Sequence, residues 1–167
     1  ETLVHQALVA SIVDSVGDPT LVGLLLGKAA VANERGIDLR VSSDTRIPDR
    51  VAGAMDLVTI VGNLIDNALD SVEPHENGTV EVSIREDADA THVRVSDSGP
   101  GVPADIVDEI FTDGFTTKVA RGVGRRGLGL ALVSQAVRRL GGDVTVTNED
   151  GAVFSVTLPH AREAVAG

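Results

Sequence analysis

Four short segments alternate apolar and polar residues with a period of two, and they come in pairs. GTVEVSIRE (78–86) places Val80, Val82 and Ile84 on one face, and THVRVSD (91–97) places Val93 and Val95 on one face. Only Asp87 to Ala90 lie between them, so the two are expected to form an antiparallel hairpin. GDVTVTN (142–148) and AVFSVTLP (152–159) predict a second hairpin across Glu149-Asp150-Gly151, with Phe154, Val156 and Leu158 pointing one way. Helical spacing supplies a cover for the apolar face. Residues 3–16 carry a stripe of Leu8, Ile12 and Val16, and a second helix is expected from Thr20 to Arg35 with Gly36 as its cap. A long helix is expected over Val51 to Val72, a short one over Ala104 to Phe111, and another over Leu128 to Leu140. IDLRV (37–41) adds one short strand, and 42–49 a polar loop. The predicted class is α+β: a two-layer α/β sandwich with a mostly antiparallel mixed sheet, covered on one face by helices and preceded by N-terminal helices. Aromatic residues make up 2% of the chain, so Val, Leu, Ile and Ala must build the core.

Composition narrows the chemistry. The 167 residues suffice for one ordinary domain plus an appendage. There is no Cys, hence no disulfide framework and no thiolate metal site. No apolar run approaches the roughly 20 residues that span a bilayer. With Glu1 at the start, the chain is expected to be a soluble piece of something longer. A net charge of -11 argues against nucleic acid as a partner. The charge is unevenly spread: Gly114 to Gly142 contain no Asp or Glu but hold Lys118, Arg121, Arg125, Arg126, Arg138 and Arg139. A basic, glycine-rich segment in an acidic chain suggests a local anionic ligand, although Arg138 and Arg139 suit a solvated helix face.

Three stretches carry candidate chemistry. NLIDNALD (63–70) sets Asn63, Asp66, Asn67 and Asp70 within an arc of roughly 100° on the long helix. The stripe reads either as a solvent face or as a site. Asn is a poor helix former, and two carboxamides one turn apart can offer oxygens to a hard cation such as Mg²⁺. DSGPGV (97–102) reads as a strand-ending turn, or as a buried Asp97 carboxylate able to accept from a base amino group, with glycines permitting close approach. GVGRRGLGLALV (122–133) leads four glycines into a helix, which is either a flexible loop or a set of backbone N–H groups that hold phosphate. Its literal G-x-G-x-x-G is no dinucleotide fingerprint, because no β-α-β context surrounds it.

Taken in order, NLIDNALD, DSGPGVP, IFTDGFTTK and GLGLALV resemble the N, G1, F and G2 boxes of the histidine-kinase ATP-binding domain, a member of the Bergerat (GHKL) fold class. The resemblance covers roughly Asp38 to Pro159. GRRGLGLALV, IFTDGFTTK and DPTLVGLLLGKAAVANERGIDL look most like the citrate and C4-dicarboxylate sensor kinases of two-component systems.

The resemblance implies ATP and Mg²⁺ as cofactors. Asn67 would bind the metal, with Asn63 assisting in the metal and phosphate network. Asp97 would accept from the adenine amino group, in a pocket shaped by Gly99 and Gly101. Phe111, Phe115, Thr116, Thr117 and Lys118 would belong to a lid, and Gly127, Leu128 and Gly129 to the phosphate-binding turn. Arg125 stands where the G2 box usually starts with Gly, so Arg125 and Arg126 are candidates for touching phosphate or a partner. Hydrolysing relatives carry a Glu four residues before the metal-binding Asn. Here that position is Asn63, which cannot act as a base.

The activity so implied is phosphoryl transfer to a histidine on an upstream dimerisation helix, for relay to a response regulator. His5, followed by Gln-Ala-Leu-Val, does not fit the acceptor pattern. Residues 1–37 are then the later part of the dimerisation and phosphoacceptor region, 38–160 the ATP-binding domain and 161–167 a tail. The whole protein would be a homodimer, with this chain the cytosolic portion of a membrane-anchored sensor. The alternatives are a non-catalytic nucleotide-sensing module and an anti-sigma-type serine kinase of the same fold.

Overall fold

The computed structural model describes residues 3–48, 53–73, 77–103 and 126–160, with the backbone alone described at 126–128. The elements are α1 (Leu3–Ser15), α2 (Pro19–Glu34), β1 (Asp38–Val41), α3 (Ala54–Val72), β2 (Thr79–Glu86), β3 (Ala90–Asp97), α4 (Arg126–Arg139), β4 (Asp143–Asn148) and β5 (Ala152–Pro159). The short helix expected at 104–111 lies outside the described residues, as do Phe111, Phe115, Thr116, Thr117, Lys118 and Arg125.

Both expected hairpins form, and they join into one five-stranded sheet of order β1-β2-β3-β5-β4. β3 pairs with β5 rather than with β4, so the last strand lies inside the sheet. β1 runs parallel to β2, which requires a crossover, and α3 provides it. The register aligns Val82, Val95, Phe154 and Val146 across four strands on one face. That face is buried, with Phe154 1% exposed, and the row behind it (Ser83, Arg94, Ser155, Thr145) is polar. Helix α3 covers the buried face with Leu57, Ile60, Val61, Leu64, Ile65, Ala68, Leu69 and Val72. From α4, Leu130, Val133, Ala136 and Val137 join it, and Leu8 and Ile12 of α1 and Leu21 and Leu25 of α2 belong to the same cluster.

The element ends have local causes. Asp18 caps α2: its buried carboxylate accepts from the backbone N–H groups of Thr20 (2.9 Å) and Leu21 (3.3 Å), and Pro19 takes the first helical position, where no N–H is needed. Helix α2 therefore starts one residue before the expected Thr20. Helix α4 starts at Arg126 rather than Leu128, so Gly127 joins Gly129 in its first turn instead of lying in the preceding loop. The polar segment 42–48 is more than a solvent loop. Thr45 is fully buried and its hydroxyl accepts from Ile84 N–H (3.2 Å), while Ile47 exchanges backbone hydrogen bonds with Ser15 and Gly17. Among the described residues no helix is long and apolar enough to cross a membrane.

Candidate functional site

The polar stripe of α3 splits in two. Side chains four apart on a helix turn by about 40°, so Asn63, Asn67 and Ser71 form one slowly winding row, and Asp66 and Asp70 sit to its other side. The aspartates face α2. Lys28 Nζ lies 2.6 Å from Asp66 Oδ1, and Arg35 Nη1 lies 3.0 Å from Asp70 Oδ1 and 3.7 Å from Glu73. Asp66 and Asp70 are thus ion-pair partners that tie α2 to α3. The asparagine row faces elsewhere.

At its N-terminal end the row meets α4. Arg139 near the C-terminus of α4 donates from Nε (3.2 Å) and Nη2 (2.7 Å) to Asp56 at the start of α3, and this pairing raises the guanidinium pKa. Gly53, just before α3, abuts Leu140. The two helices consequently run antiparallel, and the first turn of α4 comes down beside the middle of α3. There a Cβ on Gly129 would stand 3.2 Å from Asn63 Oδ1. Asn63 donates its own amide N–H to Thr59 O (2.7 Å), which fixes the carboxamide so that its oxygen is presented toward α4.

At the other end of the row stands the loop after β3. Asp97 is buried (6% exposed), and its Oδ1 accepts from Gly99 N–H (2.8 Å) and more distantly from Ala152 N–H (3.4 Å). Gly99 lies against Ser71: a Cβ there would collide with the Ser71 hydroxyl and stand 3.0 Å from both Ser71 O and Asp97 Oδ1. Gly101 has φ +81° and packs on Asn148. Gly151, in the β4–β5 turn, has φ +133° and lies on the Asp97 carbonyl, where no side chain fits.

Between the two ends, Asn67 is 7% exposed and its Oδ1 finds no hydrogen-bond partner among the described residues. A buried acceptor left unpaired costs about 1–3 kcal/mol. The eight steps from Asn63 to Ser71 rise about 12 Å along the helix. The wall therefore has a glycine-rich helix start at one end, a buried carboxylate at the other and an orphaned oxygen between them.

The structure brings Asn63, Asn67, Asp97, Gly99, Gly101 and Gly129 to this wall, and the backbone of Arg126, Gly127 and Leu128 forms the first turn of α4 next to it. Two participants escaped the sequence reading. Ser71 was available as the next position in the Asn63, Asn67 row. Asn148 carried no signal, because its contact with the loop spans 46 residues of sequence.

A model of histidine kinase-, DNA gyrase B- and HSP90-like ATPases matches residues 52–162. The chain belongs to this ATPase family. Within the family it is 35% identical over 165 residues to the sensor histidine kinase DcuS of Escherichia coli (strain K12), covering 95% of this chain and 29% of DcuS. It is 38% identical over 157 residues to a probable C4-dicarboxylate sensor kinase of Halalkalibacterium halodurans, covering 90% of this chain and 29% of that one. The chain thus spans under a third of the length of these relatives. The catalytic domain of the histidine kinase ThkA superposes with a TM-score of 0.69 at 26% identity, over 84% of this chain and 91% of that one. The fold expected from the hairpins and helices is the one these kinases share.

Proposed function

We propose that this chain is the ATP-binding catalytic domain of a two-component sensor histidine kinase, which positions Mg-ATP to phosphorylate a histidine on an upstream dimerisation helix. The observation that carries the reading is the orphaned, buried oxygen of Asn67, midway between Gly129 and Asp97. The donor set suits a hard cation, which takes oxygen ligands and keeps several waters. Asn67 Oδ1 would hold Mg²⁺, with Asn63 Oδ1 one turn away in the same network. Bound metal would neutralise phosphate charge. The adenine would lie at the other end, with Asp97 accepting from its amino group and Gly99 and Gly101 leaving room for the ring. The phosphates would meet the first turn of α4 at Gly127, Leu128 and Gly129, where unpaired N–H groups and the positive helix end favour anions. Arg125 and Arg126 would add positive charge there, and Phe111, Phe115, Thr116, Thr117 and Lys118 would form the lid.

The site contributes position and charge rather than a base. Asn63 cannot take a proton from water, so hydrolysis by the chain alone would be slow and transfer would rely on alignment. Residues 1–37 are assigned to the end of the dimerisation region, 38–160 to the ATP-binding domain and 161–167 to a tail. In the whole protein we assign a homodimer, a response regulator as the acceptor of the phosphoryl group, and a cytosolic position behind a membrane anchor.

The test combines calorimetry with phosphoryl transfer. A non-hydrolysable ATP analogue should bind with Mg²⁺, and Asp97→Asn should weaken it at least tenfold. Labelled ATP plus the upstream helix in trans should yield acid-labile label on a histidine. Rapid Mg²⁺-dependent hydrolysis, or label on a serine of another protein, would replace this reading.

A further inference from the structure

The segment that follows β3, residues 98–103, is held by a contact that no sequence motif marks. Val102 is buried (9% exposed) but lies outside the sheet, so both its backbone polar groups need partners. One side chain meets both. Asn148 Oδ1 accepts from Val102 N–H (2.9 Å), and Asn148 Nδ2 donates to Val102 O (2.8 Å). At neutral pH, where carboxyl groups are ionised, a carboxamide is the side chain that offers a donor and an acceptor side by side to a peptide group in this way.

The placement of Asn148 gives the contact its consequence. Asn148 pairs with Ala152 across the last rung of the β4–β5 hairpin. From that rung Ala152 N–H points to Asp97 Oδ1 (3.4 Å), and Gly151 packs on the Asp97 carbonyl. The same rung therefore holds the start of the loop through Asp97 and its end through Val102. Gly99 and Gly101 hang between these two attachments. Gly101 rests against Asn148 so closely that a Cβ would stand 2.5 Å from Asn148 Oδ1.

We propose that Asn148 is a positioning residue for the base end of the nucleotide site, acting through Val102 and Gly101 to fix the loop Gly99 presents. The inference rests on the nucleotide reading of the previous section and adds to it the group that sets base discrimination. Asn148 touches neither base nor phosphate. It determines where Gly99 stands relative to Asp97 and Ser71, and hence the height of the slot into which the ring slides.

The test uses the 167-residue chain with Mg²⁺ and two probes, AMPPNP and its guanine counterpart GMPPNP. Asn148→Asp keeps the acceptor for Val102 N–H and sets a carboxylate oxygen against Val102 O. Asn148→Ala removes both bonds. For each, AMPPNP should bind about tenfold more weakly, the equivalent of one or two lost hydrogen bonds. GMPPNP should lose less, so that the preference for adenine shrinks. The melting temperature without nucleotide should stay within a few degrees of wild type. If Asn148→Ala melts early, Asn148→Asp alone decides.

Wild-type affinity and wild-type base preference in both variants would overturn the inference and leave the nucleotide site standing. An equal loss for the two purines would overturn it as well, because a merely structural role weakens both alike. Failure of the unmodified chain to bind either probe would overturn the nucleotide reading itself, and this inference with it.

Discussion

Replacing Asn67 by Leu should make the nucleotide-free protein more stable and leave it unable to respond to Mg-ATP. Leu shares the branching of Asn but is the larger side chain, so the substitution removes the orphaned oxygen at the expense of fitting two methyl groups, and the net sign follows from the open wall into which residue 67 points. Asn67 is 7% exposed, lies in the row between Asn63 and Ser71 on α3, and carries an oxygen without a partner among the described residues. Relieving one such acceptor returns about 1–3 kcal/mol, and a value near the middle would raise Tm by about 4–8 °C for a chain of this size. Most substitutions at a buried position destabilise, so the sign is diagnostic. The assay is urea unfolding and thermal melting, with and without ATP and Mg²⁺. Wild type should gain about 2.7 kcal/mol when nucleotide is present at a hundred times its dissociation constant, and the variant should gain nothing. Lower nucleotide-free stability in Asn67→Leu would refute the expected gain. A wild-type response to Mg-ATP would remove Asn67 from the site.

Gly99→Ala should cost about 1–3 kcal/mol by crowding Ser71 and weaken nucleotide binding, and Ser71→Gly in the same chain should restore only part of the loss, because Ser71 O would still lie 3.0 Å from the new Cβ. The Lys28–Asp66 pair, with Asp66 half exposed, should show a coupling of about 0.2–1 kcal/mol in a double-mutant cycle and fade in high salt. Asp87 is held at a pKa of about 2, first by Asp89 N–H, then by His92 and by Ala90 N–H. Because that value lies below the 3.8 of an ordinary Asp, its contribution is present above about pH 4 and is lost as the pH falls toward 2. Carboxyl NMR should place the titration near 2, and Asp87→Asn should flatten the acid limb of the stability curve.

Much of this architecture was legible because period-two and period-3.6 patterns depend only on neighbours in sequence. The runs around Val82, Val95 and Phe154 declared their inward face before any pairing was known. Their order in the sheet did not, since nothing in AVFSVTLP says that it pairs with THVRVSD as well as with GDVTVTN. The site was legible to the same depth. Asn63, Asn67 and Asp97 stood out as residue types that are costly where they occur. Asp66 and Asp70 could not be told from them by type, and only the approach of Lys28 and Arg35 from α2 separates ion pairs from site. Asn148 was invisible because its partner is a backbone, and a backbone has no letter in the sequence.

The position of β5 fixes when the protein can first work. Chains leave the ribosome from the N-terminus, so β5 emerges after β1 to β4, yet it lies between β3 and β4 and brings Phe154 into the core. Until Pro159 has cleared the exit, β4 has no neighbour, Asp97 lacks the Ala152 amide and the loop at Val102 hangs unattached. If the proposed site is the nucleotide site, a nascent chain that already displays Asn63, Asn67 and Asp97 should still be blind to nucleotide. Sensitivity should then arrive in one step with the β4–β5 hairpin, and a chain cut before β5 should forfeit it whole.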